Sequence, residues 1–212
     1  MLVIGAGGHA KEILQILTLR DELAHLFFFD EVDPSREAFF GRFPILHRME
    51  DALAVLAEDP RFALGIGGTE ARGRLAGRFE AAGGRLTGVV SPESRAGAWN
   101  CRIDPGADIM SGVFVSNDVR IAKGVLLNAG CQIHHDAEIG RYSEISPGAL
   151  VLGGARIGEF VAVGGGAILL PGVTLGDRAT VGAGAVVLEN VPAGESVAGI
   201  PAQPIRKAKA GP

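Results

Sequence analysis

Aliphatic residues recur at every sixth position through the second half of the chain. The series runs from Ile103 to Val187, and all fifteen of its members are Ile, Leu or Val. Four residues after each member stands a small or β-branched residue, from Ala107 to Val191. A helix repeats about every 3.6 residues and a strand about every two, so neither produces this pattern. The period predicts short strands on the flat faces of a prism-shaped coil, whose turns stack as a parallel β-helix.

The first half of the chain has a different spacing of apolar residues. Apolar residues 1–4 lead into a glycine-rich segment at residues 5–8, and apolar residues with helical spacing follow over residues 12–19. Two further apolar runs occupy residues 26–29 and 62–66. The order of strand, glycine-rich turn, helix and strand is typical of a βαβ mononucleotide-binding unit. We therefore predict a small Rossmann-like α/β unit ahead of the β-helix.

The glycine-rich turn is a candidate phosphate site, because glycines let the backbone approach an anion at the start of a helix. Asp30 and Glu31, which follow the second apolar run, can accept hydrogen bonds from a ribose or a base. Three interpretations stay open: a dinucleotide site, a structural cap on the β-helix, and a site for one nucleotide of a nucleotide-linked substrate. The unit has only about 88 residues and no second half, which favours the last of these.

Composition separates the two halves and excludes several partners. Eight of the ten Phe lie before residue 80, so we divide the chain into residues 1–90, 91–195 and 196–212. The net charge is −4 with no basic block, which argues against nucleic acid. No apolar run approaches about 18 residues, so we expect no membrane span, and no signal peptide is visible. Two cysteines, Cys101 and Cys131, have neither disulfide-framework nor metal spacing, as expected of a cytoplasmic protein.

The combination of the two halves resembles a known family. A Gly-x-Gly-Gly-His-Ala-Lys segment at residues 5–11, ahead of hexapeptide repeats, is similar to the sugar O- and N-acetyltransferases of the sialic acid acetyltransferase and bacillosamine-type group. The resemblance implies a left-handed parallel β-helix of about five coils. It also implies acetyl-CoA as cosubstrate, no metal, a nucleotide-linked amino sugar as acceptor, and a homotrimer with active sites between neighbouring β-helices. The substrate residues that it implies are Gly7, Gly8, His9, Asp30, Glu31, Gly67 and Arg72.

The catalytic candidates lie in the stretch from Asn128 to Asp136. His134 and His135 are adjacent, and they are two of only five histidines in the chain. Acetyl transfer from a thioester needs a base, a group that orients the base, and a donor for the oxyanion. Alternation along the strand predicts different environments for the two histidines. We expect His135 to be the general base and Asp136 to orient it, as the resemblance also implies.

Gly153 stands one predicted coil after His135, so its backbone N–H is the candidate oxyanion donor. The resemblance places Asn128, Gly153, Gly165 and Ala183 at the acetyl-CoA. Glu144 stands nine residues after His135, where members often carry a second histidine that positions donor or acceptor. We place Glu144 with the acetyl-CoA residues and hypothesise that its carboxylate holds a cationic amino group, which favours an amino-sugar acceptor.

Other functions remain as alternatives. An O-acetyltransferase acting on a sialic-acid-like or other sugar hydroxyl uses the same residues, and a non-catalytic nucleotide-sugar-binding scaffold needs no base. A β-helical metal hydratase needs three histidines from different coils, whereas the repeat region has two adjacent ones. A nucleotidyltransferase needs a larger N-terminal domain. Basic residues at the end of the chain could meet CoA phosphates or lie in solvent; they are Arg206, Lys207 and Lys209.

Overall fold

The N-terminal unit is a twisted sheet with helices packed against it. In the computed structural model, which describes residues 1–205, its elements are β1 (Leu2–Ile4), α1 (Gly8–Leu19), β2 (Phe27–Phe29), β3 (Ala38–Phe39), β4 (Phe43–Leu46), α2 (Met49–Glu58), β5 (Arg61–Leu64), α3 (Thr69–Ala81) and β6 (Arg85–Leu86). The strand order is β3-β4-β2-β1-β5-β6, and only the β3–β4 pair is antiparallel. Strand β1 is completely buried because it lies between β2 and β5, as expected of a central parallel strand.

The second unit is a parallel β-helix of short strands on three faces. The first face contains β7 (Arg95–Ala96), β10 (Phe114–Val115), β13 (Gln132–Ile133), β16 (Leu150–Val151), β19 (Ile168–Leu169) and β22 (Val186–Val187). The second contains β8 (Arg102–Ile103), β11 (Arg120–Ile121), β14 (Glu138–Ile139), β17 (Arg156–Ile157) and β20 (Thr174–Leu175). The third contains β9 (Asp108–Ile109), β12 (Leu126–Leu127), β15 (Glu144–Ile145), β18 (Ala162–Val163), β21 (Thr180–Val181), β23 (Ser196–Ala198) and β24 (Gln203–Pro204).

The predicted Rossmann-like unit and left-handed parallel β-helix are both confirmed. Along the first face, Phe114 pairs with Gln132 and Gln132 with Leu150, so one coil takes eighteen residues. The first coil is one residue longer, because Arg95 pairs with Phe114. This extra residue interrupts the six-residue period, which is why the sequence pattern begins only at Ile103.

The aliphatic member of each hexad fills the interior of the β-helix. From Ile109 to Val187 these side chains are at most 4% exposed, and the small or β-branched residues between them are at most 5% exposed. Ile103 is 37% exposed, because its coil is the open end of the stack. At the other end, β23 extends the third face and β24 pairs with it in antiparallel. The basic residues Arg206, Lys207 and Lys209 lie outside the described residues.

A buried ion pair joins the two units. The Arg72 side chain, on α3, is fully buried and donates to Asp108 Oδ2 of β9 at 2.6 Å. It also donates to the carbonyl oxygens of Leu64, Ile66 and Gly124 at 2.8 to 3.4 Å. The expectation that Arg72 binds substrate is therefore corrected: its donors are used within the protein and no solvent reaches them.

Helix α3 also packs against one corner of the β-helix. Tyr142 and Phe160 stack there with ring centroids 5.5 Å apart, and the Arg178 guanidinium lies 4.8 Å from the Phe160 centroid. Arg178 forms an ion pair with Glu70 at the start of α3. Gly73 allows the close approach, since a β-carbon there would lie 2.7 Å from Phe160 Cε1. None of the helices within residues 1–205 has the length and apolar character that crossing a membrane requires.

Candidate active site

His135 lies over Gly153 on the next coil, at the corner that follows the first face. A β-carbon at position 153 would lie 2.5 Å from Cε1 and 2.7 Å from Nε2 of the imidazole, so only glycine leaves room for the ring. The His135 carbonyl accepts a 2.8 Å hydrogen bond from Gly154 N–H, which fixes the register of the two coils. Within residues 1–205, the Gly153 N–H donates to no acceptor. The structure therefore brings together the predicted base and the predicted oxyanion donor.

Asp136 satisfies a backbone demand and a side-chain demand at once. Its φ of 61° is left-handed, a conformation that Asp, Asn and Gly tolerate better than other residues. Its carboxylate Oδ2 lies 2.7 Å from His135 Nδ1. With Nδ1–H donating to the carboxylate, the proton of a neutral imidazole is on Nδ1, and Nε2 is left as an acceptor. That arrangement orients a base toward solvent, where both side chains are about two-thirds exposed.

His134 has a different environment from His135, as predicted. Its ring meets Phe114 edge-on, with centroids 5.9 Å apart, on the outer surface of the first face. His134 N–H donates to the Val151 carbonyl in the ladder between β13 and β16. The two adjacent histidines thus divide between a packed position on the face and an open position at the corner.

Asn128 and Glu144 form a second cluster, where the third face meets the N-terminal unit. Asn128 is 6% exposed, and its Nδ2 donates to Glu144 Oε1 at 3.2 Å. Glu144 Oε2 accepts a 2.8 Å hydrogen bond from the backbone N–H of Gly68, the residue before α3. Gly67 lies against the same carboxylate. Glu144, expected among the acetyl-CoA residues, therefore has both carboxylate oxygens engaged between the two units.

Gly165 and Ala183 stand in one column of corner residues. The column runs through Ala129, Pro147, Gly165 and Ala183, each eighteen residues apart, and hydrogen bonds from Gly148, Gly166 and Gly184 N–H to the preceding member hold it together. Its side chains are small, which leaves the corner open along its length. The column lies before each strand of the first face, whereas His135 and Gly153 lie after them. The two sets therefore occupy opposite edges of that face.

The crevice of the N-terminal sheet lies where the strand order reverses at β1. Gly7 and Gly8 are exposed at the start of α1, and a β-carbon on either would meet nothing within 4 Å. Asp30 orders this turn: its Oδ2 accepts from Ala6 N–H at 3.0 Å and its Oδ1 from Val32 N–H at 2.8 Å. A cleft beside them is lined by Gly5, Phe29, Asp30, Glu31, Val32, Ile66 and Arg74, among others. Ligands of open α/β sheets bind at such a crevice.

His9 is buried beside this crevice. Burial, with the Arg72 guanidinium as a second cause, lowers the pKa of His9 from 6.5 to about 4. Its Nδ1 lies 3.4 Å from Glu12 Oε2, and its buried Nε2 has no hydrogen-bond partner in residues 1–205. Glu31 is engaged differently, because Arg78 donates to both of its carboxylate oxygens at 2.5 and 2.8 Å. That pairing lowers the pKa of Glu31.

Cys131 is inert by position. It fills an interior small-residue site, and burial raises the pKa of its thiol to about 12. In a Cys101→Ser variant we expect no reaction of the native protein with a disulfide reagent at pH 8, and one thiol per chain after denaturation. Titration with such a reagent before and after adding guanidinium measures both values. A Cys131 thiol that reacts in the native state would be accessible as a nucleophile and would favour a covalent mechanism.

No group of three or more His, Cys, Asp or Glu side chains within residues 1–205 is arranged to hold a metal ion. The candidate site has two parts, both built from side chains and backbone. One is the imidazole and amide at the corner of the β-helix. The other is the crevice of the N-terminal sheet, with the Asn128–Glu144 cluster at the junction.

Comparison with known proteins places these features in a family. A model of the PglD N-terminal domain matches residues 1–79. A model of the bacterial transferase hexapeptide, with six repeats, matches residues 118–153 and 154–189. The search of curated proteins gives no match for this sequence.

Three solved structures are similar over nearly their whole length. A histidine-to-asparagine variant of perosamine N-acetyltransferase from Caulobacter crescentus, in complex with CoA and GDP-perosamine, has 30% identity and a TM-score of 0.89, with 97% of this chain and 96% of that chain covered. The acetyltransferase domain of PglB from Neisseria gonorrhoeae has 28% identity and a TM-score of 0.85, covering 96% and 98%. WeeI from Acinetobacter baumannii has 25% identity and a TM-score of 0.88, covering 96% and 98%.

A Rossmann-like unit followed by a left-handed β-helix, with an imidazole exposed at a coil corner, defines an acyltransferase of the hexapeptide-repeat class. The chain belongs to the sialic acid acetyltransferase and bacillosamine-type family of sugar acetyltransferases, for which acetyl-CoA is the cosubstrate.

Proposed function

We propose that this enzyme transfers the acetyl group of acetyl-CoA to an amino group of a nucleotide-linked sugar. The observation that carries the proposal is the His135 imidazole, held by Asp136 and lying against the Gly153 backbone. The relatives support the acceptor class, since perosamine N-acetyltransferase is described in complex with CoA and GDP-perosamine. In this proposal, residues 1–90 bind the nucleotide sugar, residues 91–195 transfer the acetyl group and residues 196–212 extend the acetyl-CoA side.

The chemistry follows from the two corner residues. His135 Nε2 accepts a proton from the acceptor amine as its nitrogen attacks the thioester carbonyl carbon. Gly153 N–H donates to the oxyanion of the tetrahedral intermediate, and Asp136 stabilises the imidazolium. Collapse of the intermediate breaks the carbon–sulfur bond, and His135 returns the proton to the thiolate of CoA. No side chain of the enzyme is acylated.

The crevice of the N-terminal unit suits the nucleotide diphosphate. The start of α1 presents unblocked backbone N–H groups, and its first turn contains no acidic residue. We assign the phosphates to Gly7 and Gly8, and we include His9, whose buried Nε2 has no partner within residues 1–205, among the residues of the same ligand site. Asp30 shapes this turn through its backbone hydrogen bonds, and Gly67 borders the crevice toward the β-helix.

The active site is proposed to form between subunits of a homotrimer. On the first face, four of six outward residues are apolar; the six are Arg95, Phe114, Gln132, Leu150, Ile168 and Val186. The outward residues of the second face are all polar: Arg102, Arg120, Glu138, Arg156 and Thr174. Burying the first face between copies brings the Gly165–Ala183 column of one subunit toward His135 of its neighbour. Acetyl-CoA is proposed to lie in the groove between these two subunits, with Asn128 near the thioester.

A thiol-release assay tests the proposal. Acetyl-CoA is combined with UDP-, GDP- and CMP-linked amino sugars and with their hydroxyl counterparts, and mass spectrometry locates the acetyl group. We expect release only with an amino sugar and an amide product. Transfer to a hydroxyl would favour the O-acetyltransferase, and tight binding of a nucleotide sugar without thiol release would favour the scaffold.

Gly153→Ala is expected to reduce activity without unfolding the protein. The new methyl group occupies the space of the imidazole. Because the imidazole is free to rotate toward solvent, the substitution displaces the base and leaves the fold intact. Displacing a catalytic group by about 1 Å costs on the order of 100-fold in kcat. Gly77→Ala, which adds a methyl group in open space on α3, serves as control. Steady-state kinetics and thermal unfolding measure both effects, and wild-type kcat in Gly153→Ala contradicts the assigned geometry.

A further inference from the structure

We propose that Glu144 is a positioning residue that holds the nucleotide-sugar crevice and the Asn128 amide in one geometry, and thereby determines how the acceptor sugar is presented. The inference rests on the proposed function, because it concerns the acceptor of that reaction. It assigns to Glu144 a role in acceptor presentation instead of contact with acetyl-CoA.

The Glu144 carboxylate links two elements that are far apart in the sequence. Gly68 N–H donates to its Oε2 at 2.8 Å from the N-terminal unit. Asn128 Nδ2 donates to its Oε1 at 3.2 Å from the preceding coil. Both partners are donors, and an ionised carboxylate is the side chain that accepts at both of its oxygens. The carboxylate therefore matches both contacts, whereas an amide matches only one of them.

The acceptor-only chemistry of Glu144 sets the orientation of the Asn128 side chain. The amide must turn its NH₂ group toward the carboxylate, so its Oδ1 points the other way. Among residues 1–205, no donor is hydrogen-bonded to Oδ1. A carbonyl oxygen fixed in this way is an acceptor for an N–H group, and an amine or ammonium group on the sugar is the matching donor.

The same carboxylate also fixes the loop that borders the crevice. Residues 65–68 connect β5 to α3, and Arg72 donates to the Ile66 carbonyl at 2.8 Å. Arg72 is itself anchored on Asp108, and Glu144 on β15, so the β-helix holds this loop at two points. Ile66 lines the cleft at the carboxyl ends of β1 and β5. A nucleotide sugar bound in that cleft is thereby set at one distance from the transfer site.

Glu144→Gln tests the role, with Glu138→Gln as matched control. Glu138 occupies the same position of the preceding hexad but faces outward on the second face. We expect Glu144→Gln to lower kcat/KM for the nucleotide sugar by at least about tenfold and to leave the KM for acetyl-CoA within about twofold. Glu138→Gln should leave both values unchanged.

A double-mutant cycle separates positioning from a purely structural helix cap. Because Glu144 acts partly through Asn128, Glu144→Gln should cost less in kcat/KM for the sugar when Asn128→Ala is already present than it costs in the wild type. Costs that add in full, or a raised KM for acetyl-CoA with an unchanged KM for the sugar, overturn the proposal.

Hydrogen exchange at Gly68 provides a readout that needs no substrate. The amide should exchange at least about tenfold faster in Glu144→Gln than in the wild type or in Glu138→Gln. An unchanged exchange rate overturns the proposed contact even if the enzyme is active. Wild-type protein that acetylates no sugar, together with faster exchange at Gly68, would instead refute the proposed function and leave the contact in place.

Discussion

Replacing His135 by alanine lowers kcat for acetyl transfer by about 10²- to 10⁴-fold, the range over which a positioned general base contributes. In the proposed mechanism the loss falls on kcat, because the imidazole takes the proton of the acceptor only as the new bond forms and the crevice proposed for the nucleotide lies in another unit. The side chain is exposed and packs on a glycine, so the fold does not depend on it. Thiol release at saturating acetyl-CoA and sugar measures the change.

His134→Ala is the matched control for that experiment. The variant removes the same imidazole one residue earlier, from a position that contacts Phe114 on the first face. We expect kcat within a few-fold of wild type, since this ring packs on Phe114 and the atoms nearest to Gly153 belong to His135. Should His135→Ala retain activity while His134→Ala loses it, the assignment of the base is wrong and the chemistry belongs to the first face.

The architecture of the β-helix was predictable because its rule is local. Each hexad repeats the same requirement, one aliphatic residue inside and one small residue near the corner, and pairing at eighteen residues then follows for the coils between the two ends. The same arithmetic predicts that His135 and Gly153 are neighbours. The coils at the two ends depart from the rule: the first is one residue longer, and the last is two residues shorter, because Thr180 pairs with Ser196.

The junction between the units was not predictable in the same way. Arg72 carries the resemblance to a substrate ligand, but its partner is Asp108, 36 positions later in the sequence (108 minus 72) and on a different unit. Glu144 likewise meets Gly68 across 76 residues. No periodic pattern connects these pairs, since their proximity depends on how α3 packs against the corner of the β-helix. A lone acid at the outward position of a strand therefore looks like any other surface carboxylate.

Asp136 meets a backbone requirement that is independent of its predicted role as the residue that orients His135. A left-handed corner favours Asp, Asn or Gly, and the equivalent corners carry Asp118, Gly154 and Gly172, all with positive φ. An aspartate there is expected from backbone requirements alone. The 2.7 Å contact with His135 Nδ1 is what supports a second role, because it is specific to the one corner that also bears a histidine.

Arg72→Met destabilises the protein by about 3–5 kcal/mol, the typical cost of leaving one partner of a buried ion pair uncompensated. Asp108 is 1% exposed, and its remaining hydrogen bond is the one accepted from Val89 N–H at 2.9 Å, so water cannot replace the guanidinium. The carbonyls of Leu64, Ile66 and Gly124 lose their donor at the same time. The free energy of unfolding in denaturant, followed by signals from both units, measures the loss.

Two variants decide whether the effect comes from charge burial or from lost packing. Arg102→Met removes an exposed arginine that pairs with Asp104 at 3.2 Å, and its cost should stay below about 1 kcal/mol. Arg72→Met combined with Asp108→Asn removes both charges while the asparagine oxygen can still accept from Val89 N–H. We expect the double variant to be less destabilised than the sum of the single variants, by about 0.5–3 kcal/mol. Full additivity would mean that the two side chains contribute independently and would contradict the assigned ion pair.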